Sequence, residues 1–110
     1  MSLKIRKLYF DIKKAALELK QFTTEKSFEA FKEDRMLQVA VEREFEIIGE
    51  AMNRMLRQFP EEAETIPNLG RIIGMRNILA HGYDTINHEI LWNTIQVEIN
   101  PLIKFVESKV

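Results

Sequence analysis

The stretch LQVAVEREFEIIGEAMNRM, residues 37–55, decides the fold. Leu37, Val41, Phe45, Ile48, Met52 and Met55 recur at three- and four-residue steps, the spacing that brings side chains to one face of an α-helix. Met36, Ala40, Ile47 and Ala51 form a second apolar set. With Asp34 as N-cap and Pro60 as stop, the pattern predicts a long helix over about residues 34–58. Two apolar faces require two partners, supplied either by its own bundle or by that bundle and a neighbouring subunit.

Reading outward, Leu8, Ile12, Ala15, Leu19 and Phe22 predict a first amphipathic helix over about residues 3–22. Thr23, Thr24 and Ser27 offer caps for a short helical segment carrying Phe28 and Phe31. Glu61 to Ile66 reads as an acidic connector or a short helical turn. Pro67 suits a first turn, and Leu69, Ile72, Ile73, Arg76 and Ala80 run at helical spacing to Gly82, giving a helix over about 68–81. Asp84, Thr85 and Asn87 can cap a last helix whose buried stripe is Leu91, Ile95, Leu102 and Val106, with Asn100-Pro101 expected to kink or interrupt it. Gly49 and Gly74 each weaken a helix, and their presence in two central helices predicts that those helices cross closely, whether within one subunit or between two. The expected architecture is all-α: one domain over residues 1–110, a bundle of four or five helices.

Composition narrows the function. Only four Gly and three Pro argue against a turn-rich β fold. Without Cys there is no disulfide framework, thiolate metal site or cysteine nucleophile, and a reducing, cytoplasmic setting is expected. No apolar h-region follows Lys4, Arg6 and Lys7, and the apolar run Ile72-Ile73-Gly74-Met75 is far short of the roughly 18 residues that span a membrane. A formal net charge of −1 leaves no general coating of nucleic acid, although a local cationic site is compatible with it.

Phosphate-loop, dinucleotide, serine-hydrolase and H-E-x-x-H motifs are all absent. His81 and His88, with Asp84 and Glu89 nearby, do not complete a metal shell, since Gly82 should break the helix between them. The concentrated chemistry lies in Arg76-Asn77-Ile78-Leu79-Ala80-His81-Gly82-Tyr83. At about 100° per residue, Arg76 and Tyr83 share a helix face while His81 would point about 140° from Arg76. Bringing Arg76 and His81 together therefore needs the chain to leave the helix at Gly82, or a second copy of the motif across an interface.

A permanently charged guanidinium beside an imidazole that titrates near neutrality suits attack on a phosphodiester. Arg76 would stabilise the charge of a pentacoordinate transition state, and His81 would move the proton of an RNA 2′-hydroxyl or of the leaving oxygen. In the plainer reading, Arg76 pairs with Glu46 or Glu50, His81 caps carbonyls at a helix end, and Tyr83 packs on the bundle. Glu46 and Glu50 would then orient Arg76 or simply be solvated. Arg54, Arg57 and Arg71 widen a cationic groove in one reading and are ordinary surface residues in the other.

VEREFEIIGEA (residues 41–51) and IIGMRNILAHGY (residues 72–83) together resemble the HepT-like branch of the HEPN superfamily, in order and over nearly the full chain. Arg76, His81 and Tyr83 match that family's R-x4-H-x-Y motif, and Asn77 matches the polar residue after its arginine. Pro67-Asn68-Leu69 departs from the more usual proline and tryptophan. The resemblance implies a small all-α homodimer acting as a metal-independent RNase toxin without a cofactor. Its antitoxin would be a nucleotidyltransferase of the MNT type. It implies catalytic roles for Arg76 and His81 in an intersubunit cleft, and AMP transfer to Tyr83 as the means of control. The rival reading is a noncatalytic module presenting nucleotide or substrate to such a transferase. A structural helical dimer is a third.

Overall fold

The computed structural model describes residues 1–81 and 87–110, with the side chain of His81 outside the description. Among the described residues six helices follow in order: α1 (Leu3–Thr23), α2 (Phe28–Glu33), α3 (Arg35–Gln58), α4 (Pro60–Ala63), α5 (Leu69–His81) and α6 (His88–Glu107). Four are long and two are short; no strand occurs among the described residues. The expected bundle is therefore present, with the acidic connector realised as the single turn α4 and Pro60 in its first turn, where a missing N–H costs nothing.

Capping side chains set most of the boundaries. Ser2, Ser27, Asp34 and Asn87 each accept a hydrogen bond from a backbone N–H in the first turn that follows. Thr23 and Thr24 serve the other end of the preceding helix, donating to the carbonyls of Leu19 and Lys20. Buried Gln38 donates to the carbonyls of Phe31 and Lys32, closing the C-terminus of α2. Before α5, Asn68 adopts a left-handed φ of 58°, which asparagine tolerates better than most residues.

The core is one continuous cluster. Tyr9, Ile12, Ala16 and Leu19 of α1 meet Val41, Phe45, Ile48 and Met52 of α3, Ile72 and Met75 of α5, and Leu91, Ile95, Leu102 and Val106 of α6. Helix α3 is central, packing against α1 on one side and α5 on the other. Its two apolar faces are thus largely covered within the chain, although Met36 at its start is 85% exposed.

Two expectations are narrowed. Helix α6 runs through Asn100-Pro101 without interruption. Both residues are exposed, as is Val97, so the carbonyl deprived of its i→i−4 partner faces water. Of the two glycines expected at a helix crossing, Gly49 is tightly opposed within the chain, whereas nothing among the described residues lies within 4 Å of a Cβ placed on Gly74.

Candidate functional site

Arg76 lies in the middle of α5 on the face turned to α3. A Cβ built on Gly49 would overlap the Cβ and Cγ of Arg76 and lie 3.4 Å from its Cδ. The arginine stem therefore occupies the space that any larger residue at position 49 would take, which offsets the helix-weakening of glycine there.

The stem delivers the guanidinium to two acceptors. Nη2 donates to Glu50 Oε2 at 3.4 Å and Nη1 donates to Asn77 Oδ1 at 3.3 Å. Nε is buried and has no hydrogen-bond partner among the described residues. Glu50 is shared: its other oxygen is 3.6 Å from Arg54 Nε and 3.8 Å from Arg57 Nη2. One carboxylate among three guanidiniums leaves the cluster cationic, so Arg76 is oriented without being neutralised.

Of the residues singled out by sequence, Arg76, Asn77 and Glu50 are brought together. Glu46 pairs instead with Arg43 on its own helix, at 3.7 Å. His81 ends α5 with its side chain outside the description, and Tyr83, like Gly82, Asp84 and Thr85, lies outside the described residues. His88 stands edge-on to Phe31, with ring centroids 5.9 Å apart, and Trp92 packs on the same ring at 5.1 Å. Among the described residues no group of three or more His, Asp or Glu is placed to hold a metal ion.

The joining of Arg54 and Arg57 to Glu50 is more definite than sequence reasoning made it. The signal was present: Glu50, Arg54 and Arg57 stand at i, i+4 and i+7, one face of α3. Lys4 and Lys7 drew notice only as early charge, yet both line a groove beside Arg54.

The family model described as ribonuclease HepT-like matches residues 12–108. The chain belongs to the HepT-like family. Among similar proteins, "Putative RNase MJ1380" of Methanocaldococcus jannaschii is 31% identical over 103 residues, 94% of each chain. "Putative RNase TTE0752" of Caldanaerobacter subterraneus is 42% identical over 82 residues, covering 74% of this chain and 72% of its own. "Probable ribonuclease HepT" of Thermococcus cleftensis is 36% identical over 92 residues, covering 84% and 83%. No solved structure gave a significant match. The matched region contains the whole of α3 and α5, and hence every residue of the arginine cluster.

Proposed function

We propose that this HepT-like chain is a metal-independent endoribonuclease, the toxin of a toxin–antitoxin pair, in which Arg76 and His81 from two protomers act in one intersubunit cleft. The observation that carries this reading is the held state of Arg76: stem against Gly49, guanidinium shared between Glu50 and Asn77, Nε without a hydrogen-bond partner among the described residues, within the R-x4-H-x-Y sequence. A buried donor without an acceptor is costly, and a phosphate oxygen is a fitting acceptor for it.

In the proposed reaction, a neutral His81 imidazole accepts the proton of the RNA 2′-hydroxyl as that oxygen attacks the adjacent phosphorus. Arg76 stabilises the added negative charge of the pentacoordinate state. The bond to the 5′-oxygen breaks, and the second protomer's imidazolium gives that oxygen its proton. A 2′,3′-cyclic phosphate and a free 5′-hydroxyl result. Each proton transfer typically contributes about a hundredfold to ten-thousandfold in rate. Support for two protomers comes from α5: among the described residues Gly70 and Gly74 have nothing within 4 Å of a built Cβ, and Ile78, one turn on, is 52% exposed. That line, on the side of α5 away from Arg76, leaves room for close approach of a second helix.

A nucleotidyltransferase antitoxin of the MNT type would act by transferring AMP to the Tyr83 hydroxyl. The added phosphate and base would occupy the place beside Arg76 that an RNA phosphate needs. In the test, wild type should arrest growth and degrade RNA in EDTA, while Arg76→Ala and His81→Ala fold but do neither. Tyr83→Phe should stay toxic and escape the antitoxin. Identical behaviour of wild type and His81→Ala toward RNA would remove the enzyme reading and leave a noncatalytic module that binds nucleotide or substrate for the transferase.

A further inference from the structure

A groove of about 570 Å³ lies between the first turns of α1 and the last turns of α3, lined in part by Leu3, Lys4, Lys7, Asp11, Arg54 and Gln58. Arg54 is its joint with the Arg76 cluster. The same side chain that borders the groove reaches Glu50, whose second oxygen holds Arg76. A smaller depression of about 220 Å³ shares Leu8, Asp11 and Arg54 with the groove and includes Glu50, so the surface is continuous from α1 across α3 toward α5.

The charge along this path is uneven for a chain whose formal net charge is −1. Lys4, Lys7, Arg54, Arg57 and Arg76 are five cations, whereas the carboxylates among them are Asp11 and Glu50, a local excess of three positive charges. Arg43 and Glu46, which border the smaller depression, offset each other at 3.7 Å. The cations grow more accessible with distance from the cluster centre: the Arg76 side chain is 26% exposed, Arg54 59% and Lys7 70%. Long, accessible cations in a row around one more buried guanidinium are the arrangement that tracks a phosphate backbone.

We propose that this groove binds the single-stranded RNA flanking the scissile phosphate, with Lys4, Lys7 and Arg54 contacting successive backbone phosphates. The inference rests on the ribonuclease reading, because a polymeric substrate must leave the Arg76 site in some direction and this is the cationic exit. Lys7 is shared with Asp11 and Arg54 with Glu50, so each can turn to a phosphate by exchanging one anion for another. With neighbouring helix axes about 8–10 Å apart, a path over α5, α3 and α1 covers a few nucleotides. Leu3, 84% exposed at the groove edge, offers an apolar rest for a base.

The test uses fluorescence anisotropy with a labelled single-stranded RNA of about a dozen nucleotides, in a His81→Ala background that prevents turnover, across a salt series. Replacing Lys4, Lys7 and Arg54 by Gln should weaken binding by about tenfold or more at 0.1 M salt and lower the log–log salt slope by about two, since each lost single-strand contact removes about 0.7. The charge-conserving triple variant Lys4→Arg, Lys7→Arg, Arg54→Lys should bind as the parent does, and thermal unfolding followed by circular dichroism checks the fold of both. Unchanged affinity and slope in the Gln variant would overturn the proposal. So would unchanged RNA binding with lost binding of the nucleotidyltransferase, which would make the groove a protein surface. Cleavage by wild type, run alongside, separates the two readings. If the Gln variant loses binding but wild type cleaves nothing, the groove stands and the enzyme reading falls; if wild type cleaves while the Gln variant binds normally, the groove alone falls.

Discussion

The side chain of Arg76 begins where a side chain of residue 49 would have to be: a methyl group on Gly49 would collide with the Cβ and Cγ of the arginine. The Cβ is fixed by the backbone and moves only with α5 itself, so a new χ1 rotamer of Arg76 cannot relieve the overlap. Gly49→Ala should therefore destabilise by about 1–3 kcal/mol through overpacking, despite gaining up to about 1 kcal/mol of helix propensity. Because α5 must shift, RNA cleavage should fall by more than the loss of folded protein explains. Urea unfolding together with cleavage at a temperature where the variant is fully folded checks both parts.

Glu50 tests orientation apart from stability. Its carboxylate is 44% exposed and the pairs it forms with Arg54, Arg57 and Arg76 span 3.4–3.8 Å, so the pairs together stabilise the fold by no more than about 1 kcal/mol. Positioning of a reacting group is far more sensitive, an error of about 1 Å being able to cost about a hundredfold in rate. Glu50→Gln should melt within a few degrees of wild type yet lose about tenfold or more in kcat, with a smaller change in KM. Equal losses in both, or none, would show that Arg76 is aimed by other contacts.

The same cluster shows how much of the site could be read from the chain. The helical periods were unambiguous because the apolar stripes are long, and the caps at Ser27, Asp34 and Asn87 act through side-chain oxygens whose preference is local. The choice between Glu46 and Glu50 as partner of Arg76 was not legible. Both carboxylates are on α3, one turn apart, and the choice depends on how far α5 slides along α3, which the Gly49 contact sets in three dimensions. Pro101 misled for a related reason. The rule that proline breaks a helix assumes the orphaned carbonyl is costly, and here it faces solvent while Leu102, Ile103 and Val106 continue the buried face.

Gly74 separates a monomeric from a paired α5. Nothing among the described residues lies within 4 Å of a Cβ placed there, so Gly74→Leu should raise helix propensity by up to about 1 kcal/mol. If α5 faces a second copy, a leucine there holds the two helices apart. The expected outcome is a well-folded variant that elutes as a monomer in light-scattering chromatography and has lost most of its RNase activity. A dimeric, active Gly74→Leu protein would move the protomer contact away from this face.

Glu44 gives stability a pH dependence whose sign follows from its surroundings. The residue is 5% exposed on α3 and its Oε2 has no hydrogen-bond partner among the described residues. Burial is the largest cause pushing its carboxyl up to about 7 from 4.5; the charge of Glu18 adds to this, and Arg43 and Lys14 oppose it. Between those values the folded chain holds a proton that the unfolded chain releases, so this group makes stability fall as pH rises through the window and level off above about 7. Glu44→Met, similar in length and without a charge to desolvate, should therefore be more stable than wild type at pH 8, by about 2 kcal/mol. At pH 4, where the carboxyl is mostly protonated in both states, the gain should shrink to a few tenths of a kcal/mol. Urea unfolding at the two pH values measures the difference. A gain that is the same at both would mean that the substitution acts through packing and not through the buried charge.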